Sequence, residues 1–272
     1  MTSTATTLAR GPFPLSHPAA ESLSLFVHAQ HDAFISKKIA EQGIWEPFET
    51  ELLTRLLTPG GCFVDVGANI GYYSVIAARC LGKTGRVYAF EPEADNFALL
   101  DKNIGHNALP NVTAVRAGLS DRSGAASLYL NEDNRGDHQV YAGAGSRSTQ
   151  AVELCEGTQY FAGREARIDV IKIDTQGAEA QVLRGLMPLL QQSLPTLQMI
   201  IEVTPFSLRG AGDSGTVLLE LIASLGLPCQ LIDHIGHTLI PISESQLADW
   251  IADVDADPAN EGFINLLVGN AV

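Results

Sequence analysis

A chain of 272 residues with 17 Lys and Arg against 31 Asp and Glu carries a formal net charge of −14, and 46% of its residues are apolar against 18% charged. That balance is globular rather than disordered or fibrous, and the length suits one large α/β domain with additions. It also lacks the basic stripe that phosphate binding needs, the densest basic run being Lys37-Lys38, so neither nucleic acid nor an anionic membrane surface is an expected partner.

In chain order, residues 1–20 are rich in Thr, Ser and Pro and are expected to be a mobile lead-in, and residues 21–42 are expected to be helical. Trp45-Glu46-Pro47 opens a better helix in which Phe48, Leu52, Leu53, Leu56 and Leu57 share one face, stopped by Thr58-Pro59-Gly60-Gly61. From there strands and helices alternate. Cys62–Val66 reads as a strand buried on both faces, and residues 71–81 as an apolar helix. Residues 86–90 form the second strand, with Pro92 in the first turn of a helix whose inner face holds Phe97, Leu100 and Ile104. Val112 to Ala117 is the third strand.

The interval 131–150 breaks this rhythm with Asn, Asp, Gly and Ser, and the runs Ser127–Leu130 and Val152–Leu154 are expected to pair as a hairpin carrying it. Alternation resumes with a strand at 168–173, a helix with Ala178, Val182, Leu186 and Leu189 on one side, and a strand at 199–203. A helix from about Ser214 ends at Gly226, a strand covers 229–233, Ser243 and Gln246 make a capping box, and a strand at 263–268 closes the chain. Strands separated by crossover helices imply a mostly parallel sheet.

The four cysteines, Cys62, Cys80, Cys155 and Cys229, form no C-x-x-C pair and read as buried thiols of a reducing cytosol. No secretory leader and no apolar window of membrane-spanning length stands out, so the expected location is the cytoplasm.

In open α/β sheets ligands bind beyond the carboxyl ends of the strands. The first strand runs into Asp65-Val66-Gly67-Ala68-Asn69-Ile70-Gly71, where two glycines let the backbone turn sharply beside a ligand. The second ends in Glu91, placed to accept hydrogen bonds from ribose hydroxyls. NAD and S-adenosylmethionine (SAM) both answer to a nucleoside ligand. The loop has G-x-x-x-G rather than G-x-G-x-x-G, and Asp65 would repel a pyrophosphate, so SAM, with its sulfonium, fits better than the cofactor of a dehydrogenase.

The runs Val64–Ser74, Phe90-Glu91-Pro92, Gly118-Leu119-Ser120-Asp121 and Ile171–Glu179 together resemble the FkbM family of SAM-dependent methyltransferases over residues 44–205. The resemblance implies a class I, Rossmann-like α/β fold: a seven-stranded, mostly parallel sheet with helices on both faces and the last strand antiparallel. Residues 1–57 then form an N-terminal helical cap and residues 58–272 the SAM-binding domain, with a substrate hairpin inserted at about 125–155. It also implies that Asp65, Gly67, Asn69 and Gly71, with Tyr73 and Ser74 beside them, frame the methionine part of SAM. Glu91, with Pro92 and Asn96, holds the ribose; Gly118 and Leu119 line the adenine; Asp174 faces the methyl group. The family's usual Asp-x-Glu-Gly is here Asp174-Thr175-Gln176-Gly177, with Gln176 in place of Glu.

The expected reaction is in-line methyl transfer from SAM, leaving S-adenosylhomocysteine (SAH), to a hydroxyl of a small natural product or sugar. N-methylation and non-catalytic SAM binding are the alternatives. An alcohol must lose its proton, and Asp174 or His138 in the polar loop is the expected base. Trp45, Asp137, His138, Gln176 and Glu202 are the expected acceptor contacts. No metal is expected, because Asp174 stands without clustered carboxylates in sequence, and an amphipathic N-terminal helix leaves room for a homodimer.

Overall fold

The computed structural model describes residues 9–30, 32, 34–131, 134–136, 138–142 and 147–270. In chain order these form β1 (Ala9–Pro14), β2 (Ser24–His28), α1 (Ile35–Gln42), α2 (Pro47–Leu56), β3 (Cys62–Val66), α3 (Tyr72–Leu81), β4 (Arg86–Phe90) and α4 (Ala94–His106). There follow β5 (Val112–Val115), β6 (Gly118–Ser120), β7 (Gly124–Leu130), β8 (Ser148–Glu156), α5 (Gly157–Phe161), β9 (Val170–Ile173), α6 (Glu179–Gln192) and β10 (Gln198–Val203). The chain ends with α7 (Pro205–Gly210), α8 (Gly215–Ala223), β11 (Cys229–Asp233), β12 (Thr238–Ile242), α9 (Glu244–Asp255) and β13 (Ile264–Val268).

The main sheet has the order β12-β11-β13-β10-β9-β3-β4-β5. The five strands from β10 to β5 are parallel to their neighbours, and β13 inserts antiparallel between β10 and β11. This is the expected class I architecture with an antiparallel last strand. It differs by an eighth strand: β12, in a stretch to which the sequence reading assigned no element, pairs antiparallel with β11 at the edge.

Successive side chains of the central strands point to opposite faces. Val64, Val66, Ile171, Ile173, Met199 and Ile201 join the core under α6, α8 and α9, while Phe63, Val170 and Ile200 join the core under α2 and α3. That second face also carries Asp65 and Lys172, aligned side by side in the register of β3 and β9. Across β3, β9 and β10 the first face is thus apolar, and the other has a charged row at its carboxyl end.

Three local expectations need correction. Residues 21–42 are not one helix: Ser24–His28 is a strand, antiparallel to β1, and only Ile35–Gln42 is helical. The reason lies in α4, whose side chains pair the backbone of β2. Asn103 accepts from the Phe26 N–H and donates to the Phe26 carbonyl, and Asn107 does the same for Ser24. The lead-in assigned to residues 1–20 likewise contains a strand from Ala9, with Leu15 and Ala20 buried in the core; residues 1–8 lie outside the described residues. Pro92 falls just before α4 rather than in its first turn, because Glu93 is the cap and accepts from the Asn96 N–H at 2.7 Å.

Strands β7 and β8 pair antiparallel as expected and, with β6, make a separate three-stranded sheet. The chain beyond β7 folds back on it, since Tyr129 and Gln139 exchange both backbone hydrogen bonds, and residues 134–136 and 138–140 lie toward the main sheet. The four cysteines form no disulfide; Cys62 is buried and the other three are half-buried. No described helix is long and apolar enough to cross a membrane.

Candidate active site

The carboxyl ends of β3, β4 and β9 open on a cleft whose far wall is the β6–β8 sheet. Its floor is set by a close approach of two loops. Gly67, at φ +86°, lies so near the loop after β9 that a Cβ there would sit 1.9 Å from the Asp174 carbonyl oxygen. Only glycine has both the backbone freedom and the missing side chain.

Of the residues expected to hold a cofactor, Gly67, Asn69, Glu91, Pro92, Asn96, Gly118, Leu119 and Asp174 line this cleft; of those expected to meet an acceptor, His138 and Gln176 do. Asp65, Gly71, Tyr73 and Ser74 stand behind the wall instead. Asp65 is buried and accepts from the Ser74 hydroxyl at 2.6 Å, Tyr73 donates to Glu46 at 2.7 Å, and Gly71 ends the turn into α3. Burial pushes the Asp65 carboxyl up to about 6 despite the Ser74 bond. Trp45 packs against the core beside α2, with Lys38 Nζ 6.0 Å from its ring. Asp137 lies outside the described residues.

Glu91 is buried, and its two oxygens accept the backbone N–H groups of Asn69 and Glu93, each at 2.8 Å. It therefore ties the glycine loop to the end of β4. A carboxylate oxygen accepts more than one bond, so the same group still faces the cleft as an acceptor. Burial outweighs those backbone bonds and pushes its carboxyl up to about 8.

Asn69 and Asn96 do more than line the cleft. Both donate to the Arg135 carbonyl at 3.1 Å, and Asn96 is itself held by His28 at 2.8 Å. Two amides rooted on β3–α3 and α4 thus fasten the 134–136 turn over the cleft. Arg135 adds a bond to Asp95 at 3.0 Å. In the same turn His138 Nδ1 accepts the Asn131 N–H at 3.0 Å, which leaves the proton of a neutral ring on Nε2.

Asp174 ends β9 between two donors, Lys172 Nζ at 3.0 Å and Gln176 Nε2 at 3.1 Å. Gln176, at φ +54°, also donates to Glu202 at 2.7 Å and so joins two carboxylates. Glu202 reaches the site only through that bond and one from Thr204; burial, with Asp174 and Glu179 adding to it, holds its carboxyl well above the ordinary range. Asp174 does not cap the next helix. Glu179, buried, turns back to accept from the Thr175 and Gly177 N–H groups.

Sequence reasoning passed over Lys172 and Glu49. Lys172 is buried, 3.5 Å from Glu49 Oε1 and 4.9 Å from the ring centre of Tyr73. Burial alone would pull its ammonium down, but Asp174, Glu49, Glu46 and Asp65 outweigh that and hold it above the ordinary value. A charge inside Ile171-Lys172-Ile173 was a visible signal; nothing in the sequence ties Glu49 to it.

Residues 65–227, more than half of the chain, match the methyltransferase FkbM domain. The chain belongs to the FkbM methyltransferase family. Its relatives include the hexuronic acid methyltransferase AglP of Haloferax volcanii, 34% identical over 129 residues that make up 47% of this chain and 50% of that protein. Another is the methyltransferase sdnD of Sordaria araneosa, 29% identical over 153 residues, 45% of this chain and 59% of that one. The FkbM chain thus spans little more than half the length of these relatives. A solved structure of methyltransferase FkbM from Methylobacillus flagellatus KT is similar over 80% of this chain and 50% of that chain, with 14% identity and a TM-score of 0.42.

The family's cofactor is SAM, and the residues present suit it. The cleft offers the Asp174 carboxylate to a cationic nucleoside, the Glu91 carboxyl as a hydrogen-bonding partner for hydroxyls, and glycine backbone at Gly67 and Gly118 where a side chain would intrude.

Proposed function

We propose that this FkbM methyltransferase moves a methyl group from SAM to a hydroxyl of a small acceptor, a sugar or another small natural product, without a metal ion. The observation that carries the reading is Asp174. It ends the strand next to β3, lines the cleft opposite Glu91, and is fixed by Lys172 and Gln176. SAM supplies an electrophilic methyl group, so the protein's task is to hold the acceptor in line and to take its proton.

Asp174 suits the proton acceptor better than His138. Each of its oxygens keeps a further lone pair, whereas the His138 Nδ1 lone pair is already taken by the Asn131 N–H. The donors on Asp174 are an ammonium and an amide, so both of its oxygens already have protein partners, which supports a reaction without a metal ion. The cleft's outer wall mixes Leu128, Val140, Val152 and Leu154 with Arg122 and Arg135, a surface for a compact acceptor with apolar and polar sides. That the relative AglP is a hexuronic acid methyltransferase supports a sugar.

The test is methyl transfer from radiolabelled SAM to a panel of sugars, uronic acids, hydroxy-lipids and amines. Hydroxyl acceptors should be methylated, and Asp174→Asn should slow the reaction by about 10²–10⁴-fold, the range of a lost general base. Preferred methylation of amines would replace the O-transfer reading. SAM binding with no turnover on any acceptor, or full activity of Asp174→Asn, would overturn the proposed chemistry.

A further inference from the structure

The buried charges behind Asp174 do not balance. Lys172 is a single ammonium, and Asp174, Glu49, Glu46 and Asp65 all act on it. Glu49 comes from α2, outside the stretch that matches the FkbM domain. Its carboxylate is buried between two sides of the molecule. Oε1 faces Lys172 at 3.5 Å, an ion-pair contact too long for a good hydrogen bond, and it has no hydrogen-bond partner. Oε2 accepts from Asn265 on β13 at 3.1 Å, with His234 from the β11–β12 turn 3.7 Å away. Glu46, just before the same helix, and Asp174, just after β9, repel it, Asp65 on β3 and Tyr73 on α3 complete the surroundings, and Tyr73 spends its hydroxyl on Glu46. A buried excess of negative charge is relieved by taking up protons or by admitting a cation.

The two forms of the cofactor differ by that one charge. SAM carries a sulfonium, an ammonium and a carboxylate, net +1; SAH has lost the sulfonium charge and is net neutral. We propose that Glu49, acting through Lys172 and Asp174, is a positioning residue that makes the site discriminate methylated from spent cofactor by charge: it is ionised when SAM is bound and takes back a proton when SAH replaces it. This rests on SAM occupying the cleft beside Asp174. Its consequence is that product formation weakens the hold on the cofactor and favours exchange. Burial, opposed by Lys172, pushes the Glu49 carboxyl up to about 7, which places the proton exchange near neutrality.

The test is calorimetric titration of the whole chain with SAM and with SAH. If SAM lowers the Glu49 carboxyl by about one unit, the ratio of SAM to SAH affinity rises about sixfold from pH 5.5 to 7.5, and the Glu49→Gln comparison subtracts the cofactor's α-amino group, whose titration at about 7.7–8.0 begins at the upper end of that range. At pH 7, SAM then releases about 0.4 proton, seen as a dependence of the binding heat on the buffer's ionisation enthalpy, and SAH releases almost none. In Glu49→Gln, checked for native fold by near-UV circular dichroism, the ratio should change less than about twofold over that range. Asp65 and Glu91 also titrate near neutrality, and this comparison separates their share. A pH-independent ratio in the wild-type chain overturns the proposal even if the variant does not fold, as does a full sixfold rise in Glu49→Gln. Absence of binding by both SAM and SAH would instead overturn the cofactor site itself.

Discussion

Replacing Gly67 by alanine tests the geometry on which the cleft depends. Two costs can be worked out. A non-glycine residue at φ +86° carries left-handed strain of about 1–2 kcal/mol. Its Cβ would also stand 1.9 Å from the Asp174 carbonyl oxygen, a backbone atom that moves only if the loops after β3 and β9 separate, and such overpacking costs about 1–3 kcal/mol. Together they amount to about 2–5 kcal/mol, or a drop in melting temperature of roughly 5–15 °C for a chain this size. Gly226→Ala isolates the first cost, since Gly226 has φ +64° and open space around its missing Cβ. It should lower the midpoint by no more than about 6 °C. Thermal unfolding of both variants, with SAH titration of each, measures the difference. Gly67→Ala should also weaken SAH by at least about tenfold, or 1.4 kcal/mol, because Asp174 is displaced. Equal midpoints for the two variants, with SAH affinity kept, would refute the close approach as the reason for glycine.

Gln176→Glu removes the amide that donates to both Asp174 and Glu202 and sets a third carboxylate between them. It should cost about 2–4 kcal/mol in urea unfolding at pH 7.5 and clearly less at pH 5.5, where a protonated Glu can donate again; equal losses would count against the bridge. Asn103→Ala leaves the Phe26 N–H and carbonyl and the Ile70 carbonyl without partners. A loss of about 2–4 kcal/mol by thermal melting is expected, and a loss below about 0.5 kcal/mol would show that α4 does not hold β2 in place.

The cofactor-free protein should lose stability between pH 6.5 and 8.5. Glu49 and Glu91 have folded-state values of about 7 and 8, above their unfolded values, so in this range the native state binds more protons and stability falls as pH rises. Lys172, held above its ordinary value, stays protonated in both states across the window. His28, lowered by burial, acts in the opposite sense only below its unfolded value near 6.5. Those two groups contribute a fall of about 3 kcal/mol, to which Glu202, held well above its ordinary value, adds in the same sense, and a melting temperature that is flat or rising over this window would refute it.

The alternation of apolar strands and helices was legible in the sequence because each central strand carries its own signal. Cys62–Val66 and Cys229–Asp233 appear as read, and Ser243 and Gln246 cap α9 as their spacing required. Local chemistry sufficed there. The glycine loop, Glu91 and Asp174 were legible for a similar reason: strand ends in such a sheet face the ligand whatever packs around them.

What the sequence alone left undecided depends on partners far away in the chain. Ser24–His28 is a strand because Asn103 and Asn107, some 80 positions on, satisfy its backbone. Asn69 and Asn96 were legible as lining residues, but only the folded chain shows them meeting on one carbonyl, that of Arg135. Lys172 declared itself as a charge in an apolar strand, yet its counter-charge Glu49 lies 123 positions earlier, on a helix with no motif. Sequence periodicity reports which side of an element is buried. It carries no record of which distant polar group will meet it there, and in this protein those meetings set the charge behind the candidate active site.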